Sequence, residues 1–123
     1  VLVPGNFQAQ LGLALLNEKD KHYTEAYDGI NSLIEQYPDS AMAYAARGGM
    51  EKERGMLELA EFDYAKAMEL DAGNEDFAFN HVDILIQLGR KDEAYRDLKK
   101  LLDAGCQPGR LQNFYARLKK KKK

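Results

Sequence analysis

The chain has 123 residues, one domain's worth, with enough apolar side chains for a modest core. Its single cysteine, Cys106, excludes an internal disulfide, and no apolar run approaches the ~20 residues needed to span a bilayer. The net charge of −2 hides an asymmetry: residues 1–89 sum to −10 and residues 90–123 to +8, an acidic body that ends in a basic segment.

Apolar spacing predicts a first helix near 6–19. At 100° per residue Leu11 and Leu15 lie on one side of it, and Leu13 and Leu16 lie nearly opposite. One pair can face a core; the other needs a further partner. Lys21 and His22 fall in a turn before a helix near 24–37, where Ala26, Ile30, Leu33 and Ile34 form one face. Pro38 closes it, and Asp39-Ser40 can cap a helix near 40–54. Gly48-Gly49 lies inside that helix and lacks the Lys-Ser/Thr of a phosphate loop. After Gly55, a helix near 58–71 repeats the earlier face with Ala60, Tyr64, Ala67 and Met68. Asn74 can cap a helix near 74–88 with two apolar stripes, Phe77/His81/Ile84/Leu88 and Phe79/Ile86. Gly89 is the next reversal, before a helix near 92–104 carrying Ala94, Leu98, Leu101 and Leu102. A seventh helix, near 108–120, is expected to start at Pro108 after Gly105. Nothing reads as strand, so the expected class is all-α.

Ala26, Ala60 and Ala94 are 34 residues apart, and the faces around them superimpose. A fixed period of this length marks a stacked array of helical hairpins. The pattern resembles the tetratricopeptide repeat family. The second unit carries it best, through Tyr44, Gly48, Gly55, Ala60, Tyr64 and Ala67, followed by Leu70-Asp71. The first unit contributes Leu13, Ala14, Ala26, Ile30 and Pro38; the third contributes Leu85, Gly89, Ala94, Leu98 and Leu101. Arg47 and His81 depart from the family's Leu position, and Asn17 and Glu51 from its Tyr position. The resemblance implies a right-handed helical-hairpin solenoid with repeats at about 7–38, 41–74 and 75–106. A capping helix and Lys-rich tail then follow over 107–123, in a single domain.

The resemblance also implies a concave groove lined by the first helix of each unit. The expected groove residues are Leu11 and Leu15, Met42 and Ala45, and Asp76, Phe79, Asn80, Asp83 and Ile86, with Phe79 as the principal anchor. Gln8, Glu18, Gly49 and Lys52 hold the remaining groove positions. The family's carboxylate clamp requires cations and asparagines where this chain has Leu11, Leu15, Ala46, Asp76 and Asn80, so a clamp is not expected. An apolar groove edged by Glu18, Glu53, Asp76 and Asp83 suits an apolar or mildly basic peptide or helix.

No residues converge on chemistry. His22 and His81 are far apart, and neither has a Cys or His three or four positions on. His81 reads as a core residue with one hydrogen bond, Glu51 and Glu58 as solvated, and Cys106 as a small buried or loop thiol. No nucleophile elbow is present. The expectation is therefore no enzyme, no metal, no cofactor and no small-molecule substrate, but an interaction module for a protein or peptide partner. The alternative is a piece of a longer array, or a self-associating subunit that uses the doubly apolar first helix. RNA binding is disfavoured: the groove-bearing part is acidic, and only Ala104–Gly109 resembles a pentatricopeptide loop. The chain does not begin with Met, so an upstream segment is expected to have been removed. A cytoplasmic location is favoured, and an exported one stays open.

Overall fold

The computed structural model describes residues 6–120. Among them are seven α-helices: α1 (Phe7–Lys19), α2 (Tyr23–Gln36), α3 (Ala41–Glu53), α4 (Leu57–Leu70), α5 (Glu75–Gln87), α6 (Lys91–Asp103) and α7 (Gln112–Lys119). Each of the first six lies within about a residue of its expected limits. The seventh differs, because Pro108 opens a 3-10 turn, Pro108–Leu111, and α7 starts only at Gln112. Consecutive helices pair as hairpins α1/α2, α3/α4 and α5/α6; the hairpins stack through α2 on α3 and α4 on α5, and α7 packs on α5. The result is an all-α helical-hairpin solenoid.

Two local devices set the reading frame of the stack. The first helix of each hairpin has a side-chain cap: Asn6, Ser40 and Asn74 accept the N–H of Ala9, Ala43 and Phe77 at 3.0, 3.2 and 3.1 Å. The reversal within each hairpin turns on one left-handed residue, at φ 65° for Lys21, 77° for Gly55 and 78° for Gly89. Those three are again 34 apart, and only the lysine bears a Cβ there.

Burial follows the repeat. Ala26, Ala60 and Ala94 are fully enclosed, as are Ile30, Leu33, Ala67 and Leu98. In the middle hairpin the approach is closest: a Cβ on Gly48 would stand 2.8 Å from the Tyr64 ring. Glycine is thus what lets α3 lie against that tyrosine.

A polar seam joins the units. Within the second unit Arg47 holds Asp63 with two parallel bonds (2.7 and 2.8 Å), and it reaches across to Asn31 on α2 of the first at 2.9 Å. The Tyr27 hydroxyl donates to Glu51 at 2.7 Å. Within the third unit His81 contacts Asp97, and it reaches across to Glu61 on α4 of the second at 2.9 Å. This corrects two sequence expectations. Glu51 is not solvated but 1% exposed, and His81 has two carboxylate partners rather than one bond. Both sit on the face of a first helix that meets the preceding unit. Burial, together with the Asp63 carboxylate, pushes Glu51 up to about 8, against a weaker pull downward from the Tyr27 hydroxyl. Burial opposes the charge on His81, but Asp97 and Glu61 outweigh it and raise its pKa.

Candidate functional site

The first helices α1, α3 and α5 wall a groove of about 600 Å³. Leu15 and Glu18 come from α1, Ala45, Ala46, Gly49 and Lys52 from α3, and Asn80 and Gln87 from α5. At residues 45, 46 and 49 α3 offers the groove only two alanines and a glycine, beside its longer Met50, Lys52 and Glu53. Tyr64 backs these small residues from α4, with its hydroxyl 3.3 Å from where a Cβ on Gly49 would lie. Burial raises the pKa of this phenol, so the groove base stays neutral.

Charge in the groove is largely paired. Lys52 Nζ lies 2.7 Å from Asp83 and donates to Asn80 Oδ1 at 3.1 Å. Arg117 of α7 reaches the other oxygen of Asp83 at 2.7 Å. Burial works against the Asp83 carboxylate, but these two cations outweigh it and lower its pKa. Glu18 pairs with Arg54, whose guanidinium lies 4.5 Å from the centre of the Tyr23 ring.

Three of the sequence-predicted residues, Leu15, Ala45 and Asn80, come together in the groove. Asp83 stands behind Lys52 as its counter-ion. Met42 and Asp76 are exposed but do not line it. Three others lie elsewhere. Leu11 is 7% exposed and packs into the first core cluster with Ala14, Ala26 and Ile30, so it has no surface to offer a ligand. Phe79 and Ile86 pack on the core cluster beneath α7. The Phe79 ring lies 5.9 Å from that of Phe114, and the Arg110 guanidinium lies 4.7 Å from its centre. The second apolar stripe of α5 thus belongs to the capping helix. Tyr64 and Gln87 were not anticipated. Gln87 follows Asn80 by two helical turns and shares its face, a signal present in the spacing.

Among the described residues no cluster of His, Cys, Asp or Glu has the arrangement of a metal site, and no helix is long and apolar enough to cross a membrane. Several residues of the basic C-terminal segment are paired internally, Arg110 with Glu75, Arg117 with Asp83 and Lys99 with Asp103. Lys121–Lys123 lie outside the described residues.

No protein-family profile matches the chain, and no curated protein matches it either. Solved structures do. The TPR domain of Arabidopsis OM64 superposes with a TM-score of 0.78 at 22% identity, covering 94% of this chain and 96% of that one. The Yersinia enterocolitica type III secretion chaperone SycD, in complex with a peptide of the translocator YopD, gives 0.72 at 18% identity, over 90% and 85%. The TPR2B domain of yeast Sti1, in a complex with pHsp70, gives 0.70 at 17% identity, over 89% and 96%. At these identities the likeness is one of fold, and that fold is the tetratricopeptide repeat.

Proposed function

We propose that the chain is a protein-interaction module that holds a peptide or helical segment of a partner against α1, α3 and α5. The groove itself carries this reading. It is about 600 Å³ of open space with a small-residue floor, an apolar wall at Leu15 and a polar rim of Glu18, Lys52, Asn80 and Gln87. Such a surface offers apolar burial with a few polar groups to orient a chain and nothing that reacts. SycD and Sti1, which share the fold, are seen with a peptide of YopD and with pHsp70 respectively.

The segment best suited is apolar or mildly basic. Among the described residues the one cation lining the groove, Lys52, is already neutralised by Asp83, which leaves a terminal carboxylate little to pair with. Glu53 stands at the edge for a lysine or arginine of the ligand, whereas Glu18 is engaged by Arg54. Because Phe79 is partly buried against α7, the informative variant is Leu15→Arg, which alters a side chain 46% exposed at the groove wall.

Selection from a displayed peptide library tests this reading. Wild type should enrich sequences that combine apolar anchors with Lys or Arg, and Leu15→Arg should lose that enrichment at unchanged helicity. Enrichment indifferent to Leu15→Arg and to Ala46→Glu would remove the groove as the site.

A further inference from the structure

The two junctions of the stack are not filled alike. Between the second and third hairpins, over the first turn of α5, lies a cavity of about 230 Å³. Met68 of α4, Ala78 of α5 and Leu101 of α6 give it an apolar interior. Its lining shares no residue with the groove.

Three small residues open it. Ala72, Ala78 and Ala104 line the cavity, and 34 positions earlier stand Pro38, Tyr44 and Leu70. The largest difference is at Tyr44. That ring is half-buried and packs on the core cluster of Ala60, Tyr64 and Ala67, of which Ala67 is the counterpart of Leu101. A long side chain on a helix points back over the preceding turn. A ring in the corresponding place of the third hairpin lies over the first turn of α5, where the cavity is. The molecule thus shows at one junction what the other has room to hold.

We propose that this cavity binds a phenol ring, presented as a tyrosine side chain by a partner protein. Size fits, because a dry aliphatic cavity of about 150 Å³ already takes benzene. Charge fits as well. On the rim, Asp97 is held by His81 and Glu75 by Arg110, whereas the exposed ammonium of Lys100 is placed to donate to the phenol oxygen. The mouth favours a ring carried on a polypeptide. Ala72, Gly73 and Ala104 are exposed there and have nothing beyond a Cβ, so a second backbone can approach closely. One ring is a small contact, so an isolated tyrosine binds at about millimolar concentration and serves as one anchor of a larger interface.

NMR amide shifts of the full chain test this as p-cresol, and separately acetyl-Gly-Tyr-Gly-amide, is added to about 20 mM. Both probes should move the amides of Ala78, Leu101 and Ala104, with a dissociation constant of about 1–10 mM. Ala78→Tyr supplies the ring from within, so it should raise the thermal midpoint and weaken both probes at least tenfold. Ala104→Leu, at an exposed position, restores the bulk of Leu70 at the mouth and should weaken both at least fivefold. It keeps the test open if Ala78→Tyr does not fold. The groove variant Leu15→Arg should leave both titrations unchanged, which separates this proposal from the groove reading. Unmoved amides at these three positions would overturn it, as would shifts that a folded cavity variant retains. Binding of p-cresol without the peptide would overturn the protein partner.

Discussion

At the scale of single residues, the seam between units makes stability depend on pH. Glu51 has a folded pKa of about 8 against an ordinary value of 4.5, because burial penalises its charge. Its share of the stability is complete below about pH 4.5 and is lost as pH rises through about 8. His81, raised above 6.5, has the same sign: its share is complete below that value and drains away as pH rises through the folded pKa. Urea unfolding should therefore show a fold that weakens from mildly acidic to mildly alkaline pH. Glu51→Gln keeps an acceptor for Tyr27 and removes the buried charge, while Oε1, which has no hydrogen-bond partner, becomes an amide N–H donor. It should flatten much of that slope and leave the protein roughly 1–3 kcal/mol more stable than wild type near pH 9. His81→Leu leaves Asp97 unpaired and Glu61 with Arg90 as its remaining partner, and should cost about 3 kcal/mol near neutral pH by the same assay. The seam's components were visible in the sequence only as departures from the family pattern. Arg47 and His81 stand 34 apart, and so do Asp63 and Asp97, but each pair lies on different helices. Helical periodicity orders residues within one helix and says nothing about which side chains meet across a hairpin.

At the scale of elements, the turns and the close contacts decide what each helix tolerates. Lys21 bears a Cβ at φ 65°, where the equivalent turns use glycine. Lys21→Gly should raise stability by about 0.5–1 kcal/mol, seen as a higher thermal midpoint. Gly48→Ala brings a methyl within 3 Å of the Tyr64 ring. It should cost about 1–2 kcal/mol despite alanine's better helix propensity. Element limits were legible because caps, reversals and Pro38 repeat in register with the apolar face, so three copies of the signal reinforce one another. The exception is the start of α7. By sequence Pro108 suits a first helical position, but the bond pattern there is the tighter 3-10 turn that swings α7 back over α5. That same return explains why the second stripe of α5 misled: Phe79 and Ile86 are apolar for the sake of the cap.

At the scale of the whole molecule, three stacked hairpins leave two kinds of surface. One is the groove along α1, α3 and α5, which takes its shape from what α3 lacks, side chains larger than alanine at residues 45, 46 and 49. The other comprises exposed apolar groups outside it, Leu13 and Leu16 on α1 and Leu59 and Phe62 on α4. That a groove would exist followed from the 34-residue period and its family resemblance. Which residues reach it did not, because a two-sided apolar helix can bury either side, and α7 and the first hairpin core decided the matter for Phe79, Ile86 and Leu11. The central claim is that the groove is where a partner binds. Backbone amide shifts of the full chain, followed by NMR as a library-selected peptide is added, test it most directly. The account predicts that the perturbed amides cluster at Leu15, Ala45, Ala46, Gly49, Lys52 and Asn80. Shifts confined to the outer face of α1, or to Leu59 and Phe62 on α4, with the groove unmoved, would contradict it.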